Sequence, residues 1–206
     1  MNNPGCFAVS RPLAFLRVGS TRVGRLSGSL LVAGILGLTG QACLAALAVG
    51  ADAPDFTAEA ALGGKTFTFS LAQALRKGPV VLYFYPKSFT KGCTVEAHNF
   101  ADAAGKFQEL GASLIGMSND DIETQKEFSV RECRDKFAVA ADAGALVMKK
   151  YDAAMTLMPN TADRISYVIG PDGKVLYVYS SMNPDLHVAN TLKALADWKK
   201  TAAPHP

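Results

Sequence analysis

Six apolar residues in a row, Val80-Val81-Leu82-Tyr83-Phe84-Tyr85, stand between Pro79 and Pro86. They do not alternate with polar positions, so they predict a strand covered on both faces, as in a sheet flanked by helices. Upstream, Lys65-Thr66-Phe67-Thr68-Phe69 does alternate and predicts a short, half-buried strand. A short helix over 71–77 is expected to stop at the breaker pair Gly78-Pro79. Beyond the loop 86–92, apolar residues recur at Phe100, Ala103, Ala104, Phe107 and Leu110. That is helical spacing with one buried face, ended by Gly111. A strand over 113–117 comes next, and Asn119-Asp120-Asp121 supplies an N-cap for a helix to about Asp135. A strand at 137–141 and a short helix at 145–151 follow. Strands at 165–169 and 174–179 flank Gly170-Pro171-Asp172-Gly173, a hairpin with strong turn chemistry. A last helix over 187–199 sets Leu192, Leu195 and Trp198 on one face. The pattern is an α/β sandwich around one sheet, in one domain from Val49 to the end at Pro206.

Charge changes the picture at the N-terminus. Of 21 Lys and Arg side chains, Arg11, Arg17, Arg22 and Arg25 lie in the first 48 residues, which hold no acid. The remaining 17 basic residues face all 18 acidic ones, so the body of the chain is nearly neutral. Such a body gives no electrostatic reason to bind nucleic acid. The basic stretch is followed by the apolar run from Leu30 to Leu38 and by Ala46-Leu47-Ala48, an A-x-A pattern. Residues 1–48 therefore read as a cleavable export signal, cut before Val49, with the periplasm as the destination. A retained membrane anchor is the rival, but Thr39 and Gln41 interrupt the run.

Cleavage would leave two cysteines, Cys93 and Cys133, which in an oxidising compartment suggest a structural disulfide or a redox pair. Cys93 follows the apolar strand, a short loop and Gly92, at the predicted first turn of a helix. Unpaired N–H groups and the helix dipole there favour a thiolate, which is the nucleophilic form of cysteine. Glu96, one turn on, is accounted for by the same dipole as a structural residue. His98 reads as a solvated helix residue, and Tyr83, Phe84 and Tyr85 as core.

The stretch Pro86-Lys87-Ser88-Phe89-Thr90-Lys91-Gly92-Cys93-Thr94-Val95-Glu96 resembles the active-site pattern of the peroxiredoxin family, P-x-x-x-T-x-x-C with an acid three further on. Its Gly-Cys-Thr core is similar to the bacterioferritin comigratory protein (peroxiredoxin Q) branch. The opening 49–56, the strand ending at Pro86, the segment 162–169 and the Pro171-Asp172-Gly173 turn fit the same family. The resemblance implies a thioredoxin-like fold, with a central mixed sheet flanked by helices. It also implies thiol-dependent reduction of hydrogen peroxide and organic hydroperoxides. Cys93 would be the peroxidatic thiolate, Thr90 a hydrogen-bond partner of thiol or peroxide, and Pro86 a shield against water. Arg164 would stabilise the thiolate and bind the peroxide with its fork of donors. A thioredoxin-like protein or small thiol would be the reductant, the chain a monomer, and no haem, flavin or metal is implied.

In many members of the branch a resolving cysteine stands five residues after the peroxidatic one, where this chain has His98. Cys133 is the remaining candidate. Arg131 and Arg134 nearby would favour its thiolate, and the first turn around Cys93 would have to unwind for the sulfurs to meet. Equally, Cys133 could merely pack against Val130 and Phe137. A thioredoxin-like disulfide reductase needs C-x-x-C, and Thr90-Lys91-Gly92-Cys93 lacks the first cysteine. His98, His187 and His205 have no metal-site spacing with either cysteine. A redox-dead binding domain on the same fold is the remaining rival.

Overall fold

The computed structural model describes residues 46–202. The basic and apolar parts of the expected export signal lie outside these residues, as do Cys6, Cys43 and His205. Seven strands form one mixed sheet in the order β2-β1-β5-β4-β3-β6-β7. β3 (Val80–Phe84) pairs in parallel with β4 (Ser113–Ser118), which pairs in parallel with β5 (Ala138–Ala141). The other neighbours, β1 (Thr57–Leu62), β2 (Lys65–Ser70), β6 (Ile165–Ile169) and β7 (Val175–Ser180), join antiparallel.

The apolar run does what its lack of alternation predicts. Val80, Leu82 and Phe84 enter one buried cluster, under α1 (Leu71–Leu75) and α4 (Leu146–Lys150). Val81, Tyr83 and Tyr85 enter a second, under α2 (Lys91–Glu109), α3 (Ile122–Arg131) and α5 (His187–Ala202). Every residue of β3 is buried, so its C-terminal end is a rigid place from which to launch a loop. Cys93 and Cys133 both belong to the second cluster.

Two elements differ from expectation. β1 has no signature in the hydrophobic pattern, because Thr-Ala-Glu-Ala-Ala-Leu has little β-branched or aromatic character. The turn Gly63-Gly64, with φ of 55° and 73°, carries the hairpin and allows both residues the left-handed region. α3 ends at Arg131 rather than near Asp135. Arg134 and Asp135 take φ of 52° and 55°, which no right-handed helix accommodates.

Candidate active site

The loop from Pro86 to Thr90 is pinned from below. The buried Tyr85 hydroxyl donates to Gln125 Oε1 at 2.7 Å, and Gln125 Nε2 donates to Ser118 Oγ at 2.8 Å. Ser118 Oγ and the Ser88 amide both donate to Asp120 Oδ2, at 2.8 and 2.7 Å. Phe89 then adopts φ 63°, a left-handed conformation that costs a residue with a Cβ about 1–2 kcal/mol. Its ring meets Phe128 edge-on at 5.2 Å and lies under the Arg131 guanidinium, also at 5.2 Å. The reversal delivers Thr90 as the N-cap of α2, with Cys93 in the first turn and 2% exposed.

Thr90 caps without its side chain, because its hydroxyl donates to the Lys87 carbonyl at 2.9 Å. With its proton committed, that oxygen can only accept. Pro86 stands half-buried directly after β3 and Tyr85.

Arg164 comes from the opposite direction, immediately before β6, and is 3% exposed. Its Nε donates to the Met182 carbonyl at 3.1 Å, Nη1 to Glu96 Oε2, and Nη2 to Cys93 Sγ at 3.4 Å. Gly92 makes room for this fork: a Cβ there would stand 3.1 Å from Nη2. Three fixed donors on one guanidinium hold the cation against the sulfur at the end of a helix.

The reading of Glu96 as a structural residue of the helix end is corrected. It is fully buried, paired with Arg164, and 3.5 Å from Nδ1 of a fully buried His187. Burial raises the Glu96 carboxyl to about 8 although Arg164 pulls the other way. Burial also lowers His187 to about 4, with the Arg164 charge adding to the effect. The only sequence signal for Glu96 was its place in the motif. His187 gave none, being a polar first residue of a helix.

Cys133 is also corrected in part. It lies beyond the end of α3, fully buried, in the turn between α3 and β5. Its arginine neighbours are engaged elsewhere, Arg131 with Glu127 at 2.6 Å and Arg134 with Asp102 at 2.7 Å. Burial, Glu132 and Asp135 push its thiol well above the usual range, so the expected electrostatic help is absent. Both cysteines are free. His98, at the position five after Cys93, is half-buried and binds Glu132 at 2.8 Å, tying α2 to the residue before Cys133.

With this geometry in place, comparison with known proteins decides the family. Residues 49–178 match the AhpC/TSA family. The chain belongs to it. Over 118 residues it is 38% identical to the chloroplastic peroxiredoxin Q of Oryza sativa subsp. japonica, covering 57% of this chain and 54% of that protein. Over 133 residues it is 36% identical to the chloroplastic peroxiredoxin Q of Triticum aestivum, covering 64% of this chain and 59% of that one. The chain thus spans little more than half the length of these plant relatives. The crystal structure of peroxidoxin BcpB from Mycobacterium tuberculosis superposes with a TM-score of 0.66 at 33% identity, covering 72% of this chain and 96% of that one. This AhpC/TSA chain therefore has the thioredoxin-like fold, as its peroxiredoxin Q resemblance implied.

Proposed function

We propose that the chain is a thiol-dependent peroxidase reducing hydrogen peroxide and organic hydroperoxides, with Cys93 as the peroxidatic residue. The observation that carries this reading is the Arg164 guanidinium 3.4 Å from a sulfur in the first turn of a helix. The Cys93 thiolate attacks one peroxide oxygen along the O–O axis. A sulfur–oxygen bond forms and the O–O bond breaks. The departing oxygen leaves with the electron pair and takes a proton, giving water or alcohol. Sulfur is oxidised to sulfenic acid and the peroxide is reduced by two electrons. Arg164 holds the thiolate and meets the charge growing on the oxygens, a donor already in place before reaction. Thr90, restricted to accepting, holds the peroxide by its own O–H. Pro86 keeps water from the sulfur and offers no N–H of its own.

A second thiol then attacks the sulfenic sulfur, forming a disulfide and releasing water. We assign that thiol to Cys133, with a thioredoxin-like protein or small thiol reducing the disulfide afterwards. A disulfide needs Cα atoms within about 7 Å. For the two sulfurs to meet, the first turn of α2 around Cys93 unwinds, and the His98–Glu132 link between α2 and the Cys133 turn parts with it. In support, the two cysteines share one buried cluster, and Cys93 sits in a terminal turn that opens at low cost. By resemblance to the branch the chain acts as a monomer, and by its leader it acts in the periplasm after cleavage before Val49.

Stopped-flow mixing of the reduced protein with hydrogen peroxide, followed by mass spectrometry, tests the reading. The expected result is rapid oxidation at Cys93 and then a Cys93–Cys133 disulfide. A stall at sulfenic acid would remove Cys133 from the cycle, and a rate no faster than a free thiol's would remove the peroxidase.

A further inference from the structure

Behind Cys93, the hydrogen-bonding groups around His187 are satisfied by a narrow set of protonation states. His187 Nε2 lies 2.9 Å from the Ser181 carbonyl, which can only accept, so Nε2 carries a hydrogen. Nδ1 lies 2.8 Å from Ser166 Oγ and 3.5 Å from Glu96 Oε1. In the neutral ring Nδ1 is then a lone pair with room for one hydrogen, from the Ser166 hydroxyl or from a protonated Glu96. An ionised Glu96 would aim a second lone pair at the same nitrogen. Glu96 Oε1 is, moreover, a buried oxygen with no hydrogen-bond partner, while Oε2 accepts from Arg164. An unpartnered buried carboxylate oxygen is costly, and a proton between Oε1 and Nδ1 removes the conflict whichever atom carries it.

We infer that Glu96 and His187 share one proton, and that this pair sets how many anions the Arg164 cation must serve. While the proton stays, Arg164 faces one anion, the Cys93 sulfur. When it leaves, a buried carboxylate competes for the same guanidinium and reaction with peroxide slows. Both are positioning residues, acting on the sulfur through Arg164. Every element packed on the pair contributes a group that bears on this balance. Arg164 precedes β6, Cys93 shares α2, and Tyr83 approaches Glu96 from β3. Tyr179 on β7 lies edge-on to the imidazole at 4.8 Å, while Ser166 and Ser181 are neutral. With the carboxyl raised to about 8 and the imidazole lowered to about 4, the proton rests on the Glu96 side at neutral pH. Its loss near 8 leaves an ionised Glu96 beside a neutral His187.

The consequence for rate rests on Cys93 being the peroxidatic sulfur, but the proton itself can be followed without peroxide. In the reduced full chain, the ring nitrogens of His187 are recorded by NMR from pH 6 to 9.5, with His98 and His205 assigned by substitution. The expected result is an Nε2–H ring at pH 6.5 whose signals move with a midpoint near 8 in the wild type and stay flat in Glu96→Gln. Flat signals in the wild type overturn the shared proton, and this arm needs no variant at His187 to fold. Oxidation of Cys93 by hydrogen peroxide over the same range is the second arm. The wild-type rate should fall about tenfold on the alkaline side, and Glu96→Gln should lose that fall. His187→Asn should move its midpoint down by about one pH unit, since the proton loses one of its two holders. A His187→Asn profile scaled uniformly, with its midpoint unmoved, overturns the sharing and leaves a structural histidine. Slow reaction at every pH beside a titrating His187 would instead retire the peroxidase and keep the pair.

Discussion

The two cysteines of the described chain lie in one buried cluster yet in opposite electrostatic settings. Cys93 has a helix N-terminus beneath it and the Arg164 guanidinium at 3.4 Å. Cys133 has the end of a helix behind it, Glu132 and Asp135 beside it, and arginines already paired with other acids. Burial is thus common to both and cannot be what makes a cysteine reactive. The difference lies in which charges and dipoles are fixed nearby, and that is set by the ends of α2 and α3 rather than by composition.

The comparison can be broken most directly by deleting each sulfur. Cys93→Ser should slow peroxide consumption by about 10³-fold or more, while Cys133→Ser leaves the first oxidation within about twofold by stopped flow. Loss of the fast phase in Cys133→Ser would reverse the assignment. Next in size, Arg164→Met should slow oxidation of Cys93 by about 10²–10³-fold, the range seen when one preorganised donor is removed. Alkylation of the native reduced protein, read by mass spectrometry, should label Cys93 about a hundredfold faster than Cys133. Equal labelling would mean that the turn holding Cys133 opens as readily as the first turn of α2.

The charged neighbourhood of Cys93 should also leave a mark on stability. The Glu96 carboxyl, ordinarily near 4.5, is raised to about 8, so the folded state keeps a proton that the unfolded chain releases. The stability this contributes is complete below 4.5 and is lost as pH rises to about 8. His187, lowered from 6.5 to about 4, acts in the opposite sense between those values. Above 6.5 only the Glu96 effect remains. The unfolding free energy from denaturant titrations should then fall from pH 6.5 to 8 by about 2 kcal/mol, at about 1.4 kcal/mol per pH unit, and Glu96→Gln should flatten the fall. The smallest effect expected is that of Gly92→Ala. Its Cβ crowds Nη2 at 3.1 Å, and a few-fold drop in peroxide rate, with folding intact by circular dichroism, would show that Arg164 has been nudged from the sulfur.

Much of this architecture was legible because burial writes itself into sequence. The run Val80–Tyr85 marked a doubly covered strand, Gly111 and Gly170–Gly173 marked ends and turns, and the motif around Cys93 marked the helix start that Arg164 approaches. What escaped was carried by geometry with no local signature. β1 is half alanine, and β2 and β5 pair with it on either side. α3 stops at Arg131 and the backbone turns left-handed at Arg134 and Asp135, among charged residues whose pattern would have continued the helix. Glu96 and His187 lie far apart in the chain, and each reads singly as a helix-end polar residue. Only the packing of α5 on α2 and β6 makes them neighbours.

The Thr90 hydroxyl, committed to the Lys87 carbonyl, has a consequence for which oxidants the proposed chemistry would admit. A site whose hydroxyl can only receive a hydrogen must be supplied with one by the incoming molecule. Hydroperoxides carry it on their terminal oxygen, whatever the size of the group at the other end. Dialkyl peroxides have the same weak O–O bond and no such hydrogen, and would arrive with nothing to offer that oxygen.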